Sequence, residues 1–243
     1  MLKCYNITLS VLSYFFLENY LKMIEKLINF KNNESQIEIL KRPSPPLTNL
    51  FFKEFSKSIF SITGFVSKNQ PKKDINKLLK NTLPPSIQSK SFYNIWLEDM
   101  SNICKLFCTF LNANKLSFWL GSARGCKRYH VDMVPFRLLV TYEGQGTEIL
   151  PNYAANRDAF FEGKPNNKII KDKLAIKFIN KWDIAIFKGG KNGILHRTPD
   201  SALKCYSSIL MRLDDPSFLD EIKKVNKVAE PIYLQPLLET QIK

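Results

Sequence analysis

The chain holds only two histidines in 243 residues, His130 in "CKRYHVD" and His196 in "GILHRTP". Asp132 follows the first by two positions. Imidazole nitrogen and carboxylate oxygen are the donors that hold borderline divalent metals, so the chemistry these residues suggest is metal binding. On an extended strand alternate residues share a face, which would set Cys126, Arg128, His130 and Asp132 on one side, with His130 and Asp132 about 6–7 Å apart along the backbone. Two side chains so spaced converge on one ion. A third ligand must come from elsewhere, and His196, 66 residues on, is the only imidazole left.

Two neutral imidazoles and one carboxylate, with coordination positions left open, form the arrangement of non-haem Fe(II) oxygenases. The arginines gather in the same region, six of the seven lying between Arg124 and Arg212. In "YSSILMRLD" one strand face holds Tyr206, Ser208, Leu210, Arg212 and Asp214, and the other holds Ser207, Ile209, Met211 and Leu213. The first is the more polar, as the lining of a wet pocket would be. Arg212 would grip a cosubstrate carboxylate through two parallel N–H···O bonds, a geometry lysine cannot reproduce. Arg128, on the metal side of its own stretch, competes for that role. Arg197 points away from the metal on a regular strand, and a surface ion pair is its expected job. Cys126 is a thiol beside the site or a packing residue. Glu143 and Glu148 are assigned no chemistry.

These residues need strands to position them. "KLSFWLGSA", "CKRYHVDMV", "FRLLVTYEG", "TEILP", "WDIAIFKGG", "GILHRT" and "CYSSILMRLD" are short, rich in β-branched and aromatic residues, and separated by Gly, Pro and Asn. Seven such runs predict a barrel or jelly roll. "FKGGKNG" and "EGQG" read as turns; the first lacks the GK[ST] ending and following helix of a phosphate loop. Ahead of the strands the apolar spacing is helical over residues 11–30 and 50–65, in "INKLLKNTLPPS", and from Phe92 to Leu111, while "IEILKRP" reads as a strand ended by prolines. The expected organisation is α+β: a helical, Lys-rich region over residues 1–91, a helix plus double-stranded β-helix (jelly-roll or cupin-like) core over 92–216, and a tail over 217–243.

A net charge of +14 admits a nucleic-acid partner. Yet 29 of the 36 basic residues are lysines scattered without a compact run, so nucleic-acid binding is the minor reading. No apolar run reaches the length of a membrane span. The opening residues "MLKCYNITLSVLSYFFLENYLKM" are interrupted by polar residues and lack a small-residue cleavage site, which reads as an amphipathic helix rather than an export signal. Five cysteines, Cys4, Cys104, Cys108, Cys126 and Cys205, make an odd set suited to a reducing compartment, so a cytoplasmic protein is expected. Cys104 and Cys108 share a helix face with no second pair or histidine to complete a metal clip, so they read as core.

In their order, "HVD", "GQGTEIL", "WDIAIFKGG", "LHRTP" and "LMRLD" resemble the motifs of the Fe(II)/2-oxoglutarate dioxygenase superfamily, whose fold is a double-stranded β-helix. More closely, "IEILKRP", "CKRYHVDMVPFRLLVTYEGQGTEIL" and "LHRTP" resemble a bacterial family known only as a conserved domain of unknown function, over about residues 37–214. The resemblance implies His130, Asp132 and His196 as metal ligands and Arg212 as the 2-oxoglutarate clamp. The chain departs from the superfamily in its 16-residue gap from His196 to Arg212 and in lacking a second Arg six residues further, as the nucleic-acid demethylating branch has. The expected activity is that of an oxygenase using Fe(II) and 2-oxoglutarate on an organic substrate. The alternative is a non-catalytic binder of Zn(II) or another divalent ion.

Overall fold

The computed structural model describes residues 18, 20–53, 59–205 and 208–216. Cys4, most of the opening stretch, Tyr206, Ser207 and the tail beyond Pro216 lie outside the described residues.

Nine strands form two antiparallel sheets among the described residues. The larger contains β1 (Ile37–Leu40), β2 (Ser61–Ser67), β3 (Lys115–Gly121), β4 (Phe136–Glu143), β7 (Ile184–Lys188) and β9 (Ile209–Asp214), in the order β1-β7-β4-β9-β3-β2. The smaller joins β6 (Lys177–Phe178), β5 (Glu148–Leu150) and β8 (Leu195–Arg197) in that order. A mixed α and β architecture with antiparallel sheets is therefore present, and the described strands do not close into a barrel.

Strand alternation decides which side chains reach the site. Leu116, Phe118 and Leu120 of β3, Leu138, Val140 and Tyr142 of β4, and Ile209, Met211 and Leu213 of β9 face one way into the main core. There they meet helix α5 (Ser91–Leu111), whose Phe92, Trp96, Met100, Ile103 and Phe107 recur at helical spacing and are buried. Cys104 and Cys108 lie in that buried layer as free thiols, in agreement with the reading as core. Trp96 is fully buried, so truncating it to Ala would cost about 3–5 kcal/mol. Asn112, in the left-handed conformation at φ 58°, ends the helix and turns the chain into β3.

The intervening residues take the opposite face of the same sheet. Trp119, Leu139, Ala185, Phe187 and Leu210 pack there with Ile149 of the smaller sheet and with Ile179 and Ile194, forming a second apolar cluster between the sheets. A third cluster covers the far side of the smaller sheet, where Leu150 and Leu195 meet Tyr129, Ala154, Ala155 and Ile169. The short helices α6 (Arg157–Phe161) and α7 (Asn166–Ile169) belong to this covering segment.

Two local expectations are corrected. Part of the stretch 50–65, read as helical, is strand β2: Ile62 and Val66 are buried while Ser61, Thr63 and Phe65 are exposed, a period of two. Seven register pairs with β3 outweigh the helical spacing of its apolar residues. Among the described residues the start of the expected helix is present as α2 (Thr48–Lys53). The residues "PKKD", read as loop, instead open α3 (Pro71–Lys80): Pro71 sits at its first position, where a missing N–H costs nothing. Pro85 likewise begins α4 (Pro85–Gln88) rather than only ending what precedes it.

Candidate metal centre

The segment from residue 122 to 135 carries the chain from β3 to β4, and no ladder forms along it. The strand expected over 126–134 is absent; His130 alone makes a bridge, to His196. Each of these residues donates its N–H to the other's carbonyl at 3.0 Å. Other backbone groups of the segment find partners individually. Asn166 accepts from the Tyr129 N–H at 3.0 Å and donates to the Lys127 carbonyl at 2.9 Å, replacing the neighbouring strand with one side-chain amide. The Thr198 N–H donates to the Cys126 carbonyl at 2.9 Å, and the Gly190 N–H to the Asp132 carbonyl at 2.7 Å. That last contact requires close approach: a Cβ on Gly189 would lie 1.9 Å from the Val134 oxygen and 2.6 Å from the Asp132 oxygen.

The structure brings His130, Asp132 and His196 together, with one ligand atom from each within 4.8 Å of the others. Ring centroids of the two histidines stand 4.3 Å apart. Nδ1 of His130 faces the Arg128 carbonyl at 3.2 Å, and Nδ1 of His196 faces the Ile194 carbonyl at 3.1 Å. A carbonyl only accepts, so each Nδ1 carries a proton, and a ring in its neutral form then has the Nε2 lone pair to offer a ligand. Phe187, with its ring 4.6 Å from that of His196, forms an apolar wall behind it.

Asp132 is the anion of the group and is 3% exposed. Its Oδ1 accepts from Nη1 of Arg137, while its buried Oδ2 has no hydrogen-bond partner among the described residues and lies 3.5 Å from Nε2 of His196. Burial pushes the carboxyl upward, but contact with His196 and the charges of His196, Arg137 and His130 outweigh it and hold the group below the usual carboxylate range. A buried, ionised oxygen without a donor costs free energy unless a cation meets it. The site therefore fits a divalent ion: metal bonds to imidazole and carboxylate run about 2.0–2.2 Å, which a set this close reaches with small side-chain movements.

Beside the triad, a cavity of about 190 Å³ opens between the sheets, lined by Trp119, Arg124, Cys126, Arg137, Leu139 and Arg212 among others. Arg212 and Arg137 reach it from neighbouring positions on the inner sheet face: Arg212 pairs in register with Leu139 and Trp119, and Arg137 with Asp214. Arg137 Nε donates to Asp214 Oδ1 at 2.7 Å, so one guanidinium joins both carboxylates. Nε of Arg212 lies 3.2 Å from Asp214 Oδ2 without the alignment of a hydrogen bond, and its guanidinium stacks 5.7 Å from the Trp119 ring. With 40% of its side chain exposed, Arg212 is the cation of the group with the most freedom to engage a ligand.

Arg128 is placed elsewhere. It donates to the Phe160 carbonyl at 2.8 Å and the Lys164 carbonyl at 3.2 Å and stacks on Phe160 at 5.2 Å, fastening the covering segment instead of lining the cavity. The face it was expected to share with His130 does not exist, because that sidedness needed a regular strand. Cys126 does line the cavity; hydrogen bonding to His130 lowers its thiol pKa, against the effect of burial.

Two groups were missed in the sequence. Glu148, given no chemistry there, is 3% exposed and accepts from the Tyr129 hydroxyl and from Arg197 Nε, the latter at 2.8 Å. Arg197, expected in a surface pair, instead bridges this buried carboxylate and the exposed Asp200, 2.7 Å away. Strand register sets this apart from the His130, Asp132 and His196 group: Glu148 pairs with Arg197 on one face of the smaller sheet, while Ile149 pairs with His196 on the other. Arg137 was the second omission, and its signal was an arginine inside the apolar run "VPFRLLV".

A family model described as "Protein of unknown function (DUF1826)" matches residues 22–214. No curated protein matches the chain. Among solved structures, the chain is similar to a selenomethionine-labelled Fe(II)/(alpha)ketoglutarate-dependent dioxygenase, TqaL. The identity is 7% and the TM-score 0.39, over 80% of this chain and 88% of that one.

Proposed function

From a chain that belongs to the DUF1826 family, whose description assigns no activity, we propose a non-haem Fe(II)- and 2-oxoglutarate-dependent oxygenase with a double-stranded β-helix core. The observation that carries the reading is the buried, unpartnered Asp132 Oδ2 beside two imidazoles whose Nδ1 atoms are already occupied, at the edge of an arginine-lined cavity. His130, Asp132 and His196 would hold the ion, and Arg212 would take the far carboxylate of 2-oxoglutarate as a bidentate fork. When bound, iron and 2-oxoglutarate supply an oxidant through decarboxylation of the cosubstrate with dioxygen.

The chain's own residues do the remaining work. The Arg128 and Ile194 carbonyls fix the tautomers of the two imidazoles, and the paired backbone bonds between His130 and His196 fix their spacing. Arg137 occupies one oxygen of Asp132, leaving the other for the ion. Leu139 and Leu210 present apolar surface to the cavity, excluding water from one wall, and Phe187 backs His196.

Anaerobic addition of Fe(II) and then 2-oxoglutarate to the protein is expected to give a visible charge-transfer band. With air, succinate should form, and His130→Ala should abolish both. Metal binding without the band, and without succinate, would refute the oxygenase reading and leave the alternative of a divalent-ion binder. Zinc outcompetes iron at nitrogen and oxygen sites, so the metal must be supplied under control.

A further inference from the structure

Each charged group lining the cavity has an opposite charge beside it, with one exception. Arg137 lies between Asp132 and Asp214, Arg212 beside Asp214, and Arg197 between Glu148 and Asp200. Arg124 lines the same cavity and is 7% exposed, yet it makes no salt bridge to a carboxylate among the described residues. Its guanidinium donates to neutral oxygens only: Ser208 Oγ at 2.8 Å and the Gln145 carbonyl at 3.3 Å from Nη1, and Thr147 Oγ1 at 3.0 Å from Nη2. Its Nε is buried without a partner. Five N–H donors are available on the group, so two remain unused. Burial lowers its pKa to about 10, the effect expected where no anion compensates the charge.

The surroundings are built to hold this cation in place. Residues from three connections converge on it: Arg124 from the β3–β4 segment, Gln145 and Thr147 from the β4–β5 turn, and Ser208 from the start of β9. Thr147, which also lines the cavity, accepts from Arg124 and so keeps its own hydroxyl proton to donate. A buried guanidinium fixed by neutral acceptors, with donors in reserve, is organised to receive an anion from outside the chain.

We propose that Arg124, with Thr147, forms a second anion position in the cavity, which binds a carboxylate of the substrate while Arg212 binds that of the cosubstrate. The inference rests on the oxygenase reading and narrows its substrate class to small organic acids. The four arginines named above and the carboxylates Asp132, Asp214, Glu148 and Asp200 balance in charge. Within that set Arg124 is the cation for which none of the four carboxylates serves as partner.

The test uses zinc-loaded full-length protein, in which no turnover occurs, and thermal unfolding as the readout. With 2-oxoglutarate saturating, acetate is added as the probe against chloride at equal ionic strength. Acetate is expected to raise the unfolding midpoint of the wild type and of Arg212→Met. In Arg124→Met the acetate affinity should fall at least about 30-fold, with that for 2-oxoglutarate within about threefold of wild type. Arg124→Lys, which keeps the charge and the fold, should retain part of the acetate response. The proposal is overturned if wild type gives no acetate response, if Arg124→Met and Arg124→Lys leave it unchanged, or if Arg124→Met weakens 2-oxoglutarate as much as Arg212→Met does. Failure of 2-oxoglutarate to bind any form, with the Arg124-dependent acetate response intact, would sink the cosubstrate assignment and leave this anion position standing.

Discussion

Replacing Arg137 by Met removes the one guanidinium that bridges Asp132 and Asp214. The two carboxylates are 1% and 5% exposed at the side chain, so neither gains solvent in exchange. Asp214 keeps Arg212 at 3.2 Å, whereas Asp132 keeps no cation but its histidine neighbours. Breaking a buried pair by removing one partner costs about 3–5 kcal/mol, and with Asp214 still served the lower end applies, about 3 kcal/mol at neutral pH. For a chain of this length that is a drop of about 6–12 °C in unfolding midpoint. The sign with pH follows from Asp132. Its carboxyl is held below the ordinary value, so it contributes stability above the unfolded carboxylate pKa of about 3.9, and that contribution is lost as pH falls through the folded value. Without Arg137 the folded value rises, and proton uptake then neutralises the stranded charge. The gap between wild type and variant should therefore close as pH falls from 7 toward 4, measured by urea unfolding of metal-free protein. Zinc at neutral pH should narrow it too, because the ion supplies the missing countercharge. A loss below about 1 kcal/mol at pH 7, or a gap unchanged at pH 4, would refute the account of Arg137 as the counter-ion of Asp132.

Three further outcomes are expected. Gly189→Ala, by driving a methyl group into the Val134 and Asp132 carbonyls, should weaken zinc binding about 10–100-fold in a chelator competition while leaving far-UV circular dichroism intact. Tyr129→Phe strips one donor from the buried Glu148, which retains Arg197, and should cost about 1.5–3 kcal/mol in denaturant unfolding with little change in metal affinity. In native protein, alkylation mapped by mass spectrometry should modify Cys126 far faster than the buried Cys104 and Cys108, and zinc loading should slow the reaction at Cys126.

What could be read in advance was decided by local physics. Helix α5 carries its period, and strands β3, β4, β7 and β9 their β-branched and aromatic composition, in their own residues, and the sheet ladder adds nothing that contradicts it. The convergence of His130, Asp132 and His196 followed from residue type and scarcity rather than from the strand geometry used to argue it, because residues 126–134 form no strand. That is why Arg128 was misjudged: its direction depended on an alternation the backbone does not have. β2 was lost for the opposite reason, an apolar spacing compatible with a helix overridden by pairing with β3. Arg137 and Glu148 escaped notice because their importance lies in which charges stand next to which, and that is fixed only when connections far apart in sequence are brought together.

The reciprocal pair of backbone bonds between His130 and His196 latches the loop of one candidate ligand to the strand of the other. Neither residue's main chain can move away without releasing the other's. Escape of a captured ion would thus be governed by how often that latch springs open, tying the lifetime of the loaded state to local unfolding of β8.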